Sequence, residues 1–365
     1  MARALTTQQA RAIDALLAQE AGTQRQQIRQ SGLPPRTFQV ARNRALEAGW
    51  VVERFVPDPV LFGAPHVSIA LARPVDDAKQ GLGARWAEIP GASVVWQSPK
   101  FCFGVFFGPE PKGASAIGAE LATGASRYAK RYAIEMSLTT PALPVYFDFE
   151  AEWSQVSGIP GLTHYPRPLP RRPRGRRQPP VSSRWRSIVG ALVRAEGLAR
   201  PLADPSAPGI LERFTLRSAI PRALASGWLD ERVFLNPPAL PPYEEWALGQ
   251  IVFVTGRLRP ERRPEILLRT LMVGCGVHPF LFATNGADLL LATLSPAPAP
   301  AAPHRALSVA GTFARYLEGI EVTREGTAGL AAVVNHRYES ILEVGGGAEA
   351  APAPGAPARR LALAV

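Results

Sequence analysis

Arg44-Ala45-Leu46-Glu47-Ala48-Gly49-Trp50-Val51-Val52-Glu53-Arg54 reads as the end of a helix, a glycine stop and the start of a strand. The same text returns as Arg222-Ala223-Leu224-Ala225-Ser226-Gly227-Trp228-Leu229-Asp230-Glu231-Arg232, identical at seven of eleven positions with a constant offset of 178. Pro59 and Pro237 extend the match at that offset. One module, a helix running into a short strand, is therefore used twice in a chain of 365 residues.

Upstream of the first copy, Thr6-x-x-Gln9 is a capping-box pattern that opens a helix with Ala10, Ile13, Leu16 and Leu17 on one face. Thr23-x-x-Gln26 opens a second, shorter helix through Ile28. Ser31-Gly32-Leu33 is a tight turn, and Pro34-Pro35 suits the first turn of a third helix reaching about Ala48. Trp50–Val56 alternates like a strand. Three helices, a tight turn before the third and a strand after it predict a winged helix-turn-helix.

Downstream the pattern changes. Strand-like runs at 66–72, 93–98, 101–107 and 132–138 alternate with helical stretches at 76–89 and 112–130. The order βαββαβ predicts a ferredoxin-like domain, followed by a strand-like tail, Val145–Phe149. The second half repeats the plan: strand 251–255, helix 261–273, strands 278–283 and 288–294, helix 304–317 and strand 319–323. Ala328–Tyr338 echoes the first half's tail. The predicted fold is α+β: two copies of a winged helix-turn-helix, each followed by a βαββαβ ferredoxin-like domain. The expected boundaries are 1–57, 64–157, a Pro/Arg-rich linker at 158–182, a degenerate winged helix at 183–236, 248–343 and a disordered tail at 344–365.

Hydrophobic residues make up 46% of the chain, which suits a globular protein, and no run is apolar enough for a transmembrane helix. The N-terminus lacks an apolar signal core, so the expected location is the cytoplasm, associated with the nucleoid. Cys102 and Cys275 lie in apolar stretches and read as buried free thiols. Net charge is +11, a nucleic-acid signature, yet eight arginines between 158 and 186, with no acid among them, carry +8 of it.

The winged helix, the loop Val56-Pro57-Asp58-Pro59-Val60-Leu61-Phe62-Gly63 and the apolar strand after it resemble the Lrp/AsnC family of bacterial and archaeal regulators. The loop recurs as Leu235-Asn236-Pro237-Pro238-Ala239-Leu240, and Thr284-Asn285-Gly286-Ala287-Asp288-Leu289-Leu290-Leu291 is similar to a family turn between strands two and three. The first half's Gln97-Ser98-Pro99-Lys100-Phe101 lacks that glycine and aspartate. The resemblance implies a tandem regulator that binds double-stranded DNA, with a small effector such as an amino acid near Gly286 and Asp288. It also implies that the two ferredoxin-like domains pair sheet to sheet as an intramolecular pseudo-dimer, with a homodimer of chains left open.

With Phe38 on the buried face of the third helix, Arg36, Thr37, Gln39, Val40, Asn43 and Arg44 are the candidate DNA-reading residues. Arg171, Arg172, Arg174, Arg176 and Arg177 of the linker are candidate phosphate contacts. In the second copy Pro221 replaces Asn43, and a proline inside a helix costs ~3 kcal/mol and breaks or kinks it unless the helix starts there. Three prolines and a glycine also replace the preceding helix at 201–209. The second copy is therefore expected to have lost sequence reading.

No enzyme motif stands out. His66, His164, His278, His304 and His336 show no metal spacing, no phosphate-binding or nucleophile motif occurs, and neither cofactor nor metal is expected. The leading expectation is a regulator rather than an enzyme. Two alternatives stay open. Siroheme decarboxylases look like paired Lrp-type modules, sometimes fused, whose helix-turn-helix does no DNA work. That reading needs His and Arg around a tetrapyrrole pocket. The other alternative is a chromatin-like protein that coats DNA without sequence preference.

Overall fold

The computed structural model describes residues 5–18, 23–74, 81–99, 101–109, 128–137, 181–194, 210–239, 250–271, 279–285, 287–295, 303–326 and 330–345. The fold is α+β, with a winged helix-turn-helix followed by a ferredoxin-like sheet in each half. Among the described residues no helix is long and apolar enough to cross a membrane.

The first winged module comprises α1 (Thr7–Ala18), α2 (Gln24–Ser31), α3 (Pro35–Glu47) and β1 (Val51–Pro57). Both capping boxes form. The Thr6 amide donates to Gln9 Oε1 at 2.9 Å, and the Thr23 amide donates to Gln26 Oε1 at 2.7 Å. Gly49 ends the module's last helix at φ 69°, a left-handed conformation that a side chain resists. The second module keeps α5 (Ser183–Arg194), α6 (Ile210–Ala225) and β6 (Leu229–Leu235), with Gly227 at φ 66° answering Gly49.

α6 corrects one expectation: it runs through Pro221 rather than breaking there. Pro221, which has no N–H to donate, is on the exposed side of the helix. Ala219 and Ala223 on the opposite side are buried and hold the helix in place.

The two modules share a two-stranded antiparallel ribbon. β1 pairs with β6 from Val51↔Leu235 to Pro57↔Leu229. The central pair is Arg54↔Arg232, which are equivalent positions of the repeat. A pseudo-twofold axis therefore passes through that pair. The backbone repeats the symmetry: Asn236 donates to Trp50 O at 2.9 Å, and Asp58 donates to Trp228 O at 3.1 Å.

The first ferredoxin-like unit has β2 (His66–Pro74), α4 (Leu82–Ala87), β3 (Ala92–Gln97), β4 (Cys102–Gly108) and β5 (Tyr128–Ser137). The second has β7 (Gln250–Leu258), α7 (Pro264–Arg269), β8 (Pro279–Thr284), β9 (Asp288–Ser295), α8 (Pro303–Tyr316) and β10 (Leu317–Gly326). A final strand, β11 (Ala331–Val334), and helix α9 (Glu339–Gly345) follow. The second sheet has the order β10-β7-β9-β8. The first has β11-β3-β4-β2-β5, so its edge strand comes from the far end of the chain.

Helix limits differ from the sequence reading. Residues 128–130, expected to end a helix, are strand because they complete the ladder to Arg73 and Pro74. α7 is shorter than the helix expected at 261–273. The helix expected at 112–127 and the tail at 145–149 lie outside the described residues, as do residues 158–180 and 346–365.

Alternation sorts each strand into two faces. Val67, Ile69 and Leu71, with Phe103, Val105 and Phe107, join the large core shared by both halves. Ala70, Ala72, Cys102 and Phe106 turn the other way, onto Leu82 and Trp86 of α4. The second sheet sends Ile251, Phe253, Leu290 and Ala292 into the shared core. Phe253 is the meeting point, 4.8 Å from the Phe101 ring and 5.5 Å from the Phe103 ring. The two sheets thus pack face to face. Each such phenyl, fully buried, contributes roughly 1.5–3 kcal/mol.

Candidate functional site

Three places carry groups with chemistry: the reading face of α3, the β8–β9 turn, and the junction where the end of the chain crosses back to the first half.

On α3, Phe38, Ala41 and Ala45 are buried, and Arg36, Val40, Asn43 and Arg44 are exposed. Thr37 and Gln39 are half-buried. The polar groups bond among themselves. Gln39 Nε2 donates to Asn43 Oδ1 at 2.9 Å, and Gln24 Nε2 donates to Gln39 Oε1. Arg42, off that face, pairs with Glu53 at 2.7 Å. On α6 the equivalent of Arg44 is Arg222, whose guanidinium lies over the Trp185 ring at 4.9 Å. Trp185 in turn packs on Trp228 at 4.7 Å. A twofold DNA reader presents two like helices to successive major-groove turns. In this chain the two helices are unlike: α6 has Pro221 where α3 has Asn43, and its exposed Arg222 lies over Trp185 while Arg44 has no such ring beside it among the described residues. Arg171, Arg172, Arg174, Arg176 and Arg177 lie outside the described residues.

The β8–β9 turn is closed on itself. Asn285 Oδ1 accepts from the amides of Ala287 at 2.9 Å and Asp288 at 2.7 Å. Asn285 Nδ2 donates to Asp288 Oδ2 at 3.4 Å, and Arg257 lies 3.8 Å from Asp288 Oδ1. Gly286 is outside the described residues. Asp288 is thus engaged by its own strand neighbours.

The junction was not evident from motifs. β11 adds to β3 antiparallel, Ala331 opposite Gln97 and Val334 opposite Val95. The chain then fastens to the first half. The Arg337 amide donates to Ser93 O at 2.8 Å, and the Ser93 and Ser340 hydroxyls share a hydrogen bond. Between these points His336 turns inward at φ 51°, a left-handed conformation uncommon for a non-glycine residue. Its ring stacks on Phe234 of β6 at 4.6 Å and 10°, and its Nδ1 is 3.3 Å from Tyr338 Oη. Phe234 also stacks on Tyr338 at 5.2 Å. His336 is fully buried. Burial, with a smaller contribution from the Arg54 cation, lowers its pKa to about 3, so it is neutral near pH 7. Imidazole, phenol and guanidinium are thereby gathered beside the pseudo-twofold axis. The only hint in the sequence was the echo of the first half's tail at 328–338.

Other sequence candidates do not assemble. His66 lies on β2, and His164 and His278 are outside the described residues. Among the described residues no group of three or more His, Cys, Asp or Glu is placed to hold a metal ion. Cys102 is a buried free thiol whose pKa is pushed up by that burial.

No protein-family model matches the chain, and no curated protein matches it in sequence. Two of the solved structures that match it are similar over most of its length. One is the siroheme decarboxylase NirDL in co-complex with an iron-uroporphyrin III analogue, at 13% identity and a TM-score of 0.43, covering 87% of this chain and 89% of that one. The other is the siroheme decarboxylase NirDL, at 12% identity and a TM-score of 0.46, covering 92% and 96%.

These findings correct the leading expectation. The sequence alone points to a transcriptional regulator, not an enzyme, with double-stranded DNA and an amino-acid effector as partners. The known structures reported above are of an enzyme, one of them holding an iron tetrapyrrole analogue. The chain's own physical reason is the inequality of α3 and α6.

Proposed function

We propose that the protein is an enzyme acting on a carboxylated tetrapyrrole, of siroheme-decarboxylase type, in which the winged modules are scaffold. The observation that carries this reading is the unequal pair. Two Lrp-like modules are fused, joined by the β1–β6 ribbon, and one reading helix has its arginine stacked on Trp185. Such a pair has the features of a scaffold rather than of a symmetric operator reader.

Decarboxylation breaks the bond between a side-chain carbon and its carboxyl group. Carbon dioxide leaves, the electron pair stays on carbon, and a proton takes the vacated position. The iron tetrapyrrole is the substrate in this scheme, and its ring system supplies the electron sink. The chain must bind carboxylates and deliver the proton. Among the described residues, the Tyr338 hydroxyl, beside the neutral His336 ring, is a donor of suitable type, and Arg54 is the neighbouring cation.

The test is anaerobic incubation of the purified chain with siroheme, followed by absorption spectroscopy and mass spectrometry of the extracted pigment. Stepwise loss of carbon dioxide from acetate side chains is expected. An unchanged pigment, with no shift of its main absorption band on mixing, sinks the reading.

A further inference from the structure

α2 and the start of α3 border a surface hollow of about 490 Å³, lined by Gln24, Arg25, Ile28, Arg29 and Pro35. The helical period places the first four on one face of α2, with Arg25 and Arg29 one turn apart. Like charges at that spacing repel one another. Neither α2 nor the first turn of α3 carries an acidic residue to offset them. Ile28 and Pro35 form an apolar side to the same hollow, with Ile28 packed against the shared core. The N-terminus of α3 opens beside it. Pro34 gives that helix no side-chain cap, so the amides of Arg36 and Thr37 add positive character there.

We propose that this hollow is a binding site for a small molecule with an apolar ring body and two carboxylates. The guanidiniums of Arg25 and Arg29 each take one carboxylate, and the ring lies against Ile28 and Pro35. Two features select this class. Paired guanidiniums match paired carboxylates, as Arg binds such groups in bidentate fashion. The apolar side rewards a ring, which a bare inorganic anion lacks. The site goes beyond the proposed reaction and uses none of the residues assigned to it.

The probe is phthalate, a rigid ring with two carboxylates, titrated into the full-length chain and followed by calorimetry and thermal shift. Benzamide and inorganic phosphate serve as the neutral and the ringless controls. The expected result is saturable phthalate binding that weakens at least tenfold in the double variant Arg25→Gln, Arg29→Gln. Benzamide should give no shift, and phosphate should bind at least tenfold more weakly than phthalate. Circular dichroism of the variant should match the parent, since both arginines are exposed. Equal phthalate binding by parent and variant would overturn the proposal. So would phosphate binding as well as phthalate, or a duplex oligonucleotide occupying the hollow while phthalate does not. Activity on siroheme should be unchanged in the variant, so failure here is distinct from failure of the decarboxylase reading.

Discussion

α3 and α6 sit at the same place in two copies of one module, yet their equivalent arginines, Arg44 and Arg222, have different surroundings. α3 exposes Arg36, Val40, Asn43 and Arg44. α6 stacks Arg222 over Trp185, which packs on Trp228. The shared text Arg-Ala-Leu and Gly-Trp preserves the helix end and the turn in both copies. What diverged is the partner each surface meets. A repeat in sequence therefore fixes local geometry more firmly than it fixes role.

The strongest way to probe that difference is at the two repeat tryptophans. Trp228→Ala should cost about 3–5 kcal/mol, as for other large buried aromatics. Trp50→Ala should cost about 0.5–1.5 kcal/mol less, because among the described residues only Trp228 carries the ring contact with Trp185. Urea unfolding of both variants measures the gap, and equal costs would remove the asymmetry. The second test concerns the segment that the second half sends across. His336 has a folded pKa of about 3 against an ordinary 6.5, so the unfolded chain binds the extra proton between those values. Its contribution is full above pH 6.5 and is lost as pH falls toward 3, with a slope of about 1.4 kcal/mol per pH unit. Between pH 7 and pH 5 the parent should lose about 2 kcal/mol more than His336→Asn. Asparagine tolerates the left-handed backbone at this position. Parallel pH profiles would refute the assignment.

Smaller effects sharpen the symmetry itself. Asn236 Nδ2 donates to Gly49 O at 2.8 Å, a part-buried cross-copy bond. Its equivalent, Asp58, instead accepts from the amides of Val60 and Leu61 at 2.9 and 3.2 Å. Asn236→Ala should cost about 1–2 kcal/mol in thermal or denaturant unfolding, with a stranded carbonyl as the cause. Last, Arg222→Ala should cost about 0.5–1 kcal/mol through the lost cation–ring contact. Arg44→Ala should stay within about 0.5 kcal/mol of the parent.

Much of this architecture was readable beforehand, and the reasons are local. Capping boxes at Thr6 and Thr23, glycine stops at Gly49 and Gly227, and strand alternation all depend on near neighbours. Pro221 misled because a proline's effect depends on which side of the helix it faces, and tertiary packing sets that. The ends of β5 were lost for a related reason: Lys130 and Tyr128 are strand only because Arg73 and Pro74 lie opposite. The junction at His336 was the least legible. Its neighbours, Arg54, Ser93 and Phe234, come from three distant stretches of chain, and no spacing rule links them. Function went astray on the same ground. An outward row of Arg, Gln and Asn looks alike on a reading helix and on an idle one, and the difference lay in what the second copy had become.

β11 has a consequence for how this protein comes off the ribosome. The first sheet has its edge strand supplied by residues 331–334. At ordinary elongation rates, β3 emerges on the order of tens of seconds before the strand that covers it. Through that interval its outer edge offers unpaired amides and carbonyls to any passing strand. The nascent chain is thus most vulnerable to mispairing while its second half is being made, and a molecule cut short before residue 331 should aggregate through β3 rather than merely lose its end.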